Sequence, residues 1–175
     1  ANGKPWVGKE DYSKVYIKCD NRGNQIENNY EGISGKPCTN AGGYASITVE
    51  YDRWGHPTHQ AIYSIDGYLT NYQDGISGWN AVYDDVGNTT QVSYFGADWN
   101  VCSNNTGVAS WKAEYNDRGD LISMTLFDVY GNKTLCTFGY ASFLNQFLEN
   151  SLITSYFDIN GSPCNTINGF HKIHY

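Results

Sequence analysis

The chain has 175 residues, enough for one domain with a real core, and carries a net charge of −7 with an isoelectric point near 4.9. That balance argues against nucleic acid or an anionic membrane as partner, since both reward a basic surface. No apolar run reaches the length of a membrane-spanning helix, so no membrane insertion is expected. Charged residues make up only 17%, while Tyr, Asn, Gly, Ser and Thr are plentiful, as in secreted β-proteins and glycan binders.

Taken from its start, the chain opens on "ANGKP", which matches "SGKPC" at Ser34 to Cys38; it reads as a mature or excised piece of something longer. The first unit, Gly3 to Ser34, carries the turn "DNRG" and ends on the polar "NNYEGIS". The second, Gly35 to Asp66, sets the pattern: a Gly-Pro turn, the strand "YASITVEYD", the turn "DRWG" and a second strand. In that strand Ala45, Ile47, Val49 and Tyr51 point one way and Ser46, Thr48 and Glu50 the other. The third unit, Gly67 to Asp98, turns through "DDVG" and later through the variant "YFGAD". The fourth, Trp99 to Tyr130, has "VASWKAEYN" before "NDRG". The fifth, Gly131 to Asn160, shortens its turn to "LENS", and a half-unit, Gly161 to Tyr175, repeats the opening turn and stops partway along a strand.

These units share a period of 32 residues. Gly23, Gly55, Gly87 and Gly119 keep it, as do Gly43, Gly75, Gly107 and Gly139, and Gly35, Gly67 and Gly131 with Trp99 between them. Asp or Asn first and Gly last suits a type I turn whose final residue takes positive φ and joins two strands with a bulge. Stacked units predict files of matching side chains. One is Val15, Ile47, Trp79, Trp111, Phe143 and Ile173; the next is Cys19, Tyr51, Tyr83, Tyr115 and Phe147. A small-residue file runs Ser13, Ala45, Ser77, Ala109 and Ala141, and the step to His171 falls to 30 because of the shortened turn. A lone hairpin is marginal in water, so the units must bury these files against their neighbours.

The expected fold is therefore all-β: one domain over 1–175, built of about five tandem hairpin units stacked as an open, twisted, solenoid-like array. The alternative is a closed ring or barrel. Open sheet edges would invite edge-to-edge pairing with another copy.

Chemistry is sparse. The pairs "HPTH" and "HKIH" place histidines three apart, on opposite sides of a strand, so no metal is expected. No hydrolase, zincin, phosphate-loop or dinucleotide motif occurs, and Asp20, Asp52, Asp84 and Asn116 are explained by turn capping; neither catalytic residues nor a cofactor is expected. Five cysteines contain no C-x-x-C pair. They read as small buried hydrophobes at the unit junctions, with a disulfide between junctions or a reactive thiol as the other readings. What remains is aromatic surface. Trp54 stands inside a turn and Trp99 at a junction, where a core role is least natural. Tyr44 and Tyr140 hold the outward place at the start of first strands, with Tyr12, Ile76, Val108 and Phe170. These four rings, Trp54, Trp99, Tyr44 and Tyr140, are the candidate ligand-binding residues, because flat rings bury apolar sugar faces while polar neighbours bond the hydroxyls.

The turn grammar, "YDRWG…IYSIDG" and "LFDVYGNK", resembles bacterial extracellular tandem β-hairpin repeats. Choline- and glucan-type cell-wall-binding repeats are similar, as are the tyrosine-aspartate repeats of large surface and toxin proteins, all with a shorter period. The tryptophan pair that cages choline has no counterpart at matching places, so no family site residue is carried across. The resemblance implies a secreted or cell-surface bacterial module whose partner is a glycan, a cell-wall polymer or a surface protein, or else a structural spacer in a large repeat protein.

Overall fold

The computed structural model describes residues 12–72 and 74–174; the opening turn motif, the start of the first unit and Tyr175 lie outside them. Among these residues the chain is all-β. It forms eleven strands and no helix, hence no helix long and apolar enough to cross a membrane. The fold divides into two compact units, one running to Asn80 with Phe95–Asn100 added, the other made of Ala81–Tyr94 and the chain from Val101 onward. The first holds β1 (Lys14–Cys19), β2 (Gln25–Glu31), β3 (Ser46–Tyr51), β4 (Pro57–Tyr63) and the opening of β5 (Gly78–Tyr83). The second holds the rest of β5, most of β6 (Thr89–Phe95), then β7 (Ser110–Tyr115), β8 (Leu121–Phe127), β9 (Ser142–Leu148), β10 (Ser151–Phe157) and β11 (Lys172–His174).

In each unit the strands lie side by side in chain order, antiparallel to their neighbours. Among the described residues β1 pairs with β2 alone and β11 with β10 alone, so the sheet is open. The closed ring or barrel is thereby corrected: closure needs a ladder between the end strands, and no such ladder joins β1 and β11 among the described residues.

The hairpin turns show why these residues fold so. Asp20 Oδ1 accepts the amides of Arg22 (2.8 Å) and Asn24 (2.9 Å), while Oδ2 accepts the Asn24 side-chain amide (2.9 Å). Asp52 repeats this with Trp54, His56 and the His56 ring, and Asp84 with Val86, Asn88 and the Asn88 side chain. At the fourth turn the polarity is exchanged: Asn116 Oδ1 accepts two amides and its Nδ2 donates to Asp120. Glycines 23, 55, 87 and 119 close these turns with φ between 82 and 96°, where an L side chain is strained. A bulge shifts the register at Lys18/Cys19, Glu50/Tyr51 and Glu114/Tyr115. The fifth hairpin turns through Glu149 and Asn150 alone, with Leu148 paired to Ser151, and its register runs unbroken.

Between hairpins the chain makes two further turns and folds back onto the second strand. The amides of Cys38, Thr70, Cys102, Thr134 and Cys164 donate to the carbonyls of Tyr30, Ile62, Tyr94, Leu126 and Tyr156. This cover explains the burial pattern. From the second unit to the fifth the small file is buried, with Ala45 at 6% exposure and Ser77, Ala109 and Ala141 at zero, while Ser13 is half-buried. Adjacent residues Ala61 and Ile62 are both buried as well, so the sheet is covered on both faces there. The place at the start of the first strands is correspondingly not simply outward: Val108 is only 3% exposed and packs with Leu126, Cys136 and Trp111. All five cysteines are free thiols, Cys136 buried and Cys19 exposed.

Candidate functional site

Where the connectors cross the sheet they leave grooves. In the first unit, Tyr44, Ile62, Tyr72, Asp74, Ile76 and Trp79 line a cavity of about 330 Å³. In the second, Tyr140, Tyr156, Thr166, Asn168, Phe170 and Ile173 line one of about 310 Å³. Each residue of the second set answers one of the first, in the same order along its own turns and strands. A third groove, about 140 Å³, lies over Tyr94, Asn104, Thr106, Val108 and Trp111, narrowed where Val108 packs down on Leu126.

Two predicted residues form walls of these grooves. Tyr44 is half-buried between Tyr30 (5.9 Å between ring centres) and Tyr72 (5.6 Å), both edge-on, and the backbone of Gly42 leaves room for the Tyr44 and Tyr72 rings. Tyr140 meets Tyr156 at 4.9 Å and Phe143 at 6.3 Å. Such pairs contribute about 0.5–1.5 kcal/mol each beyond their buried area. Burial, with Cys136 and Tyr156 adding to it, pushes the Tyr140 hydroxyl up to about 12, so it stays neutral and can donate a hydrogen bond at any ordinary pH.

The two tryptophans stand apart from the grooves. Trp54 is 60% exposed in the turn after β3; the Arg53 guanidinium lies 3.9 Å over its ring and covers one face. Arg22 reaches across from the preceding turn to the carbonyls of Asp52 and Arg53, which steadies the loop. Trp99 is 57% exposed and stacks on Phe95 at 5.1 Å and 20°. His59 lies within 5.2 Å of Phe95 and 6.1 Å of Trp99, tilted by only 6° and 14°. The histidines are thus drawn into different surroundings, His56 onto Asp52 (2.9 Å) and His59 onto Asn80 (2.7 Å). The four candidate rings fall in four separate contact groups. Phe95 and Tyr72, which share those groups, carry no mark in the sequence beyond being aromatic, and His59 is marked there only as half of the "HPTH" pair.

No family model matches the chain, and no curated protein matches it.

Proposed function

We propose that the chain is a non-catalytic binding module of a secreted or surface bacterial protein, of the kind its turn grammar resembles, which takes carbohydrate in the connector grooves. In this reading successive hairpins are copies of one 32-residue unit laid as an open solenoid-like array, so that a groove recurs and a polymer meets several weak sites. The observation that carries it is the matched lining: Tyr44 with Tyr140, Asp74 with Asn168 and Trp79 with Ile173, an aromatic wall, a polar group and an apolar floor in each unit. Rings of this kind cover the C–H face of a sugar, and a carboxylate or amide beside them bonds its hydroxyls.

Calorimetric titration with soluble hexasaccharides of β-1,4-linked glucose, α-1,4-linked glucose and β-1,4-linked N-acetylglucosamine tests this. At least one should bind, and Tyr44→Ala with Tyr140→Ala together should weaken it by about tenfold or more. No binding by the wild-type protein overturns the proposal. The tyrosine contacts around Tyr44 then favour the second reading, a structural spacer, in which the same substitutions lower thermal stability and nothing else.

A further inference from the structure

We infer that Trp99, backed by the stacked rings of Phe95 and His59, forms a sugar-stacking floor separate from the grooves, a site that rests on the carbohydrate reading above. Five turns hold the same place after second strands, and their last residues are Gly35, Gly67, Trp99, Gly131 and Gly161. All five are left-handed, and Trp99, at φ 64°, is the non-glycine residue with positive φ among those described. A side chain in that region is strained, and such a residue persists where its surroundings or its use require it.

Packing alone gives the indole little in return, because more than half of it is exposed. The residues beneath it depart from the pattern at the same spot. Gly78 stands where Ser46, Ser110 and Ser142 stand elsewhere, and a Cβ there would collide with the Phe95 ring and the Gln60 carbonyl. His59 holds a place that differs in each unit (Glu27, Gln91 and Ser123 elsewhere), and Asn80 Oδ1 holds its Nδ1 at 2.7 Å. With Nδ1–H donating to Asn80, the neutral ring keeps its lone pair on Nε2, an acceptor for a hydroxyl. Departures at Gly78 and Trp99 therefore converge on one set of rings, which His59 joins.

The geometry selects the ligand class. The three rings are parallel within 20° and stacked, with Phe95 only 4% exposed, so a ligand meets the flat outer face of Trp99; a cage for an organic cation needs rings turned toward each other from several sides. Nucleotides are disfavoured by the charge of −7. A pyranose ring, with a flat C–H face and hydroxyls at its rim, meets both the floor and the acceptor.

The test is Trp99→Gly, titrated with the same three hexasaccharides and followed by thermal unfolding beside Trp99→Phe. Trp99→Gly should hold or raise Tm, since glycine relieves the backbone, and weaken the bound saccharide by about tenfold. Trp99→Phe should keep most of the affinity. Wild-type affinity in Trp99→Gly overturns this inference while leaving the grooves standing, and so does a lowered Tm with affinity unchanged, because the indole is then packing. A wild-type protein that binds none of the three overturns both proposals.

Discussion

The turns Asp128–Gly131 and Gly96–Trp99 hold the same place in their hairpins and are built on different atoms. In the first, Asp128 Oδ1 accepts the amides of Tyr130 and Asn132, and Gly131 takes the left-handed step without strain. In the second the leading residue is a glycine with no side-chain acceptor, and Asp98, two places later, accepts the Asn100 amide at 3.0 Å and its side chain at 2.8 Å. Both turns still close with a backbone bond, Gly131 to Asp128 at 3.1 Å and Trp99 to Gly96 at 3.0 Å. The turn shape therefore survives loss of both its marked residues. A bulky side chain there costs about 1–2 kcal/mol of backbone strain.

The largest effect should come from the floor under Trp99. Gly78→Ser gives this place the residue found at 46, 110 and 142, yet its Cβ meets Phe95 and the Gln60 carbonyl. We expect a loss of about 2–3 kcal/mol in urea unfolding. Ser110→Gly, the reverse change at an equivalent place, should cost only about 0.5–1 kcal/mol. Equal effects of the two would mean that Gly78 is an ordinary strand glycine.

Next comes the transplant. Gly131→Trp puts an indole into φ 81° and should destabilise by about 1–2 kcal/mol. The opposite change at position 99 should be neutral or stabilising. If both substitutions destabilise equally, left-handed strain is not what separates the turns.

How far the chain could be read follows from the same comparison. Gly23, Gly55, Gly87 and Gly119 could be placed in turns because few residues tolerate positive φ, and the alternation from Ala45 to Tyr51 marked a strand where β3 lies, though burial along β3 hardly separates the two sets of side chains. The residues after those glycines, Asn24, His56, Asn88 and Asp120, keep the same spacing, but a polar residue after a turn looks like any exposed one until its bond to the turn's first side chain is seen. Trp99 stands out by interrupting a glycine series. Its partners do not, because the meeting of His59 with Phe95 depends on how β4 pairs with β5 and on where the connector crosses. Val108 was misleading for a related reason: strand alternation says which face it takes, not that a connector covers that face.

Removing the acceptor from the regular turn should cost less. Asp128→Ala leaves the amides of Tyr130 and Asn132 to water, at about 1 kcal/mol. A result within a few tenths of zero would mean that Gly131 alone sets this turn.

The smallest effect separates charged from neutral turns by pH. Asp84 is held below the usual carboxylate range: the Asn88 side chain lowers it most, partial burial works against this, and the amides of Asn88, Val86 and Gly87 lower it further. The unfolded chain therefore takes up a proton first as pH falls. The stability Asp84 contributes is fully present above the ordinary carboxylate pKa, and it is lost as pH drops through that value toward the lowered one. Asn116 accepts the corresponding amides with a group that does not titrate. Asp84→Asn should leave stability at neutral pH nearly unchanged, since the new amide can accept the same two amides. Below the ordinary carboxylate range it should flatten the fall of the unfolding midpoint. A variant that loses stability at neutral pH, with its acid dependence intact, would show that the carboxylate's second oxygen, bonded to Asn88, matters more than its charge.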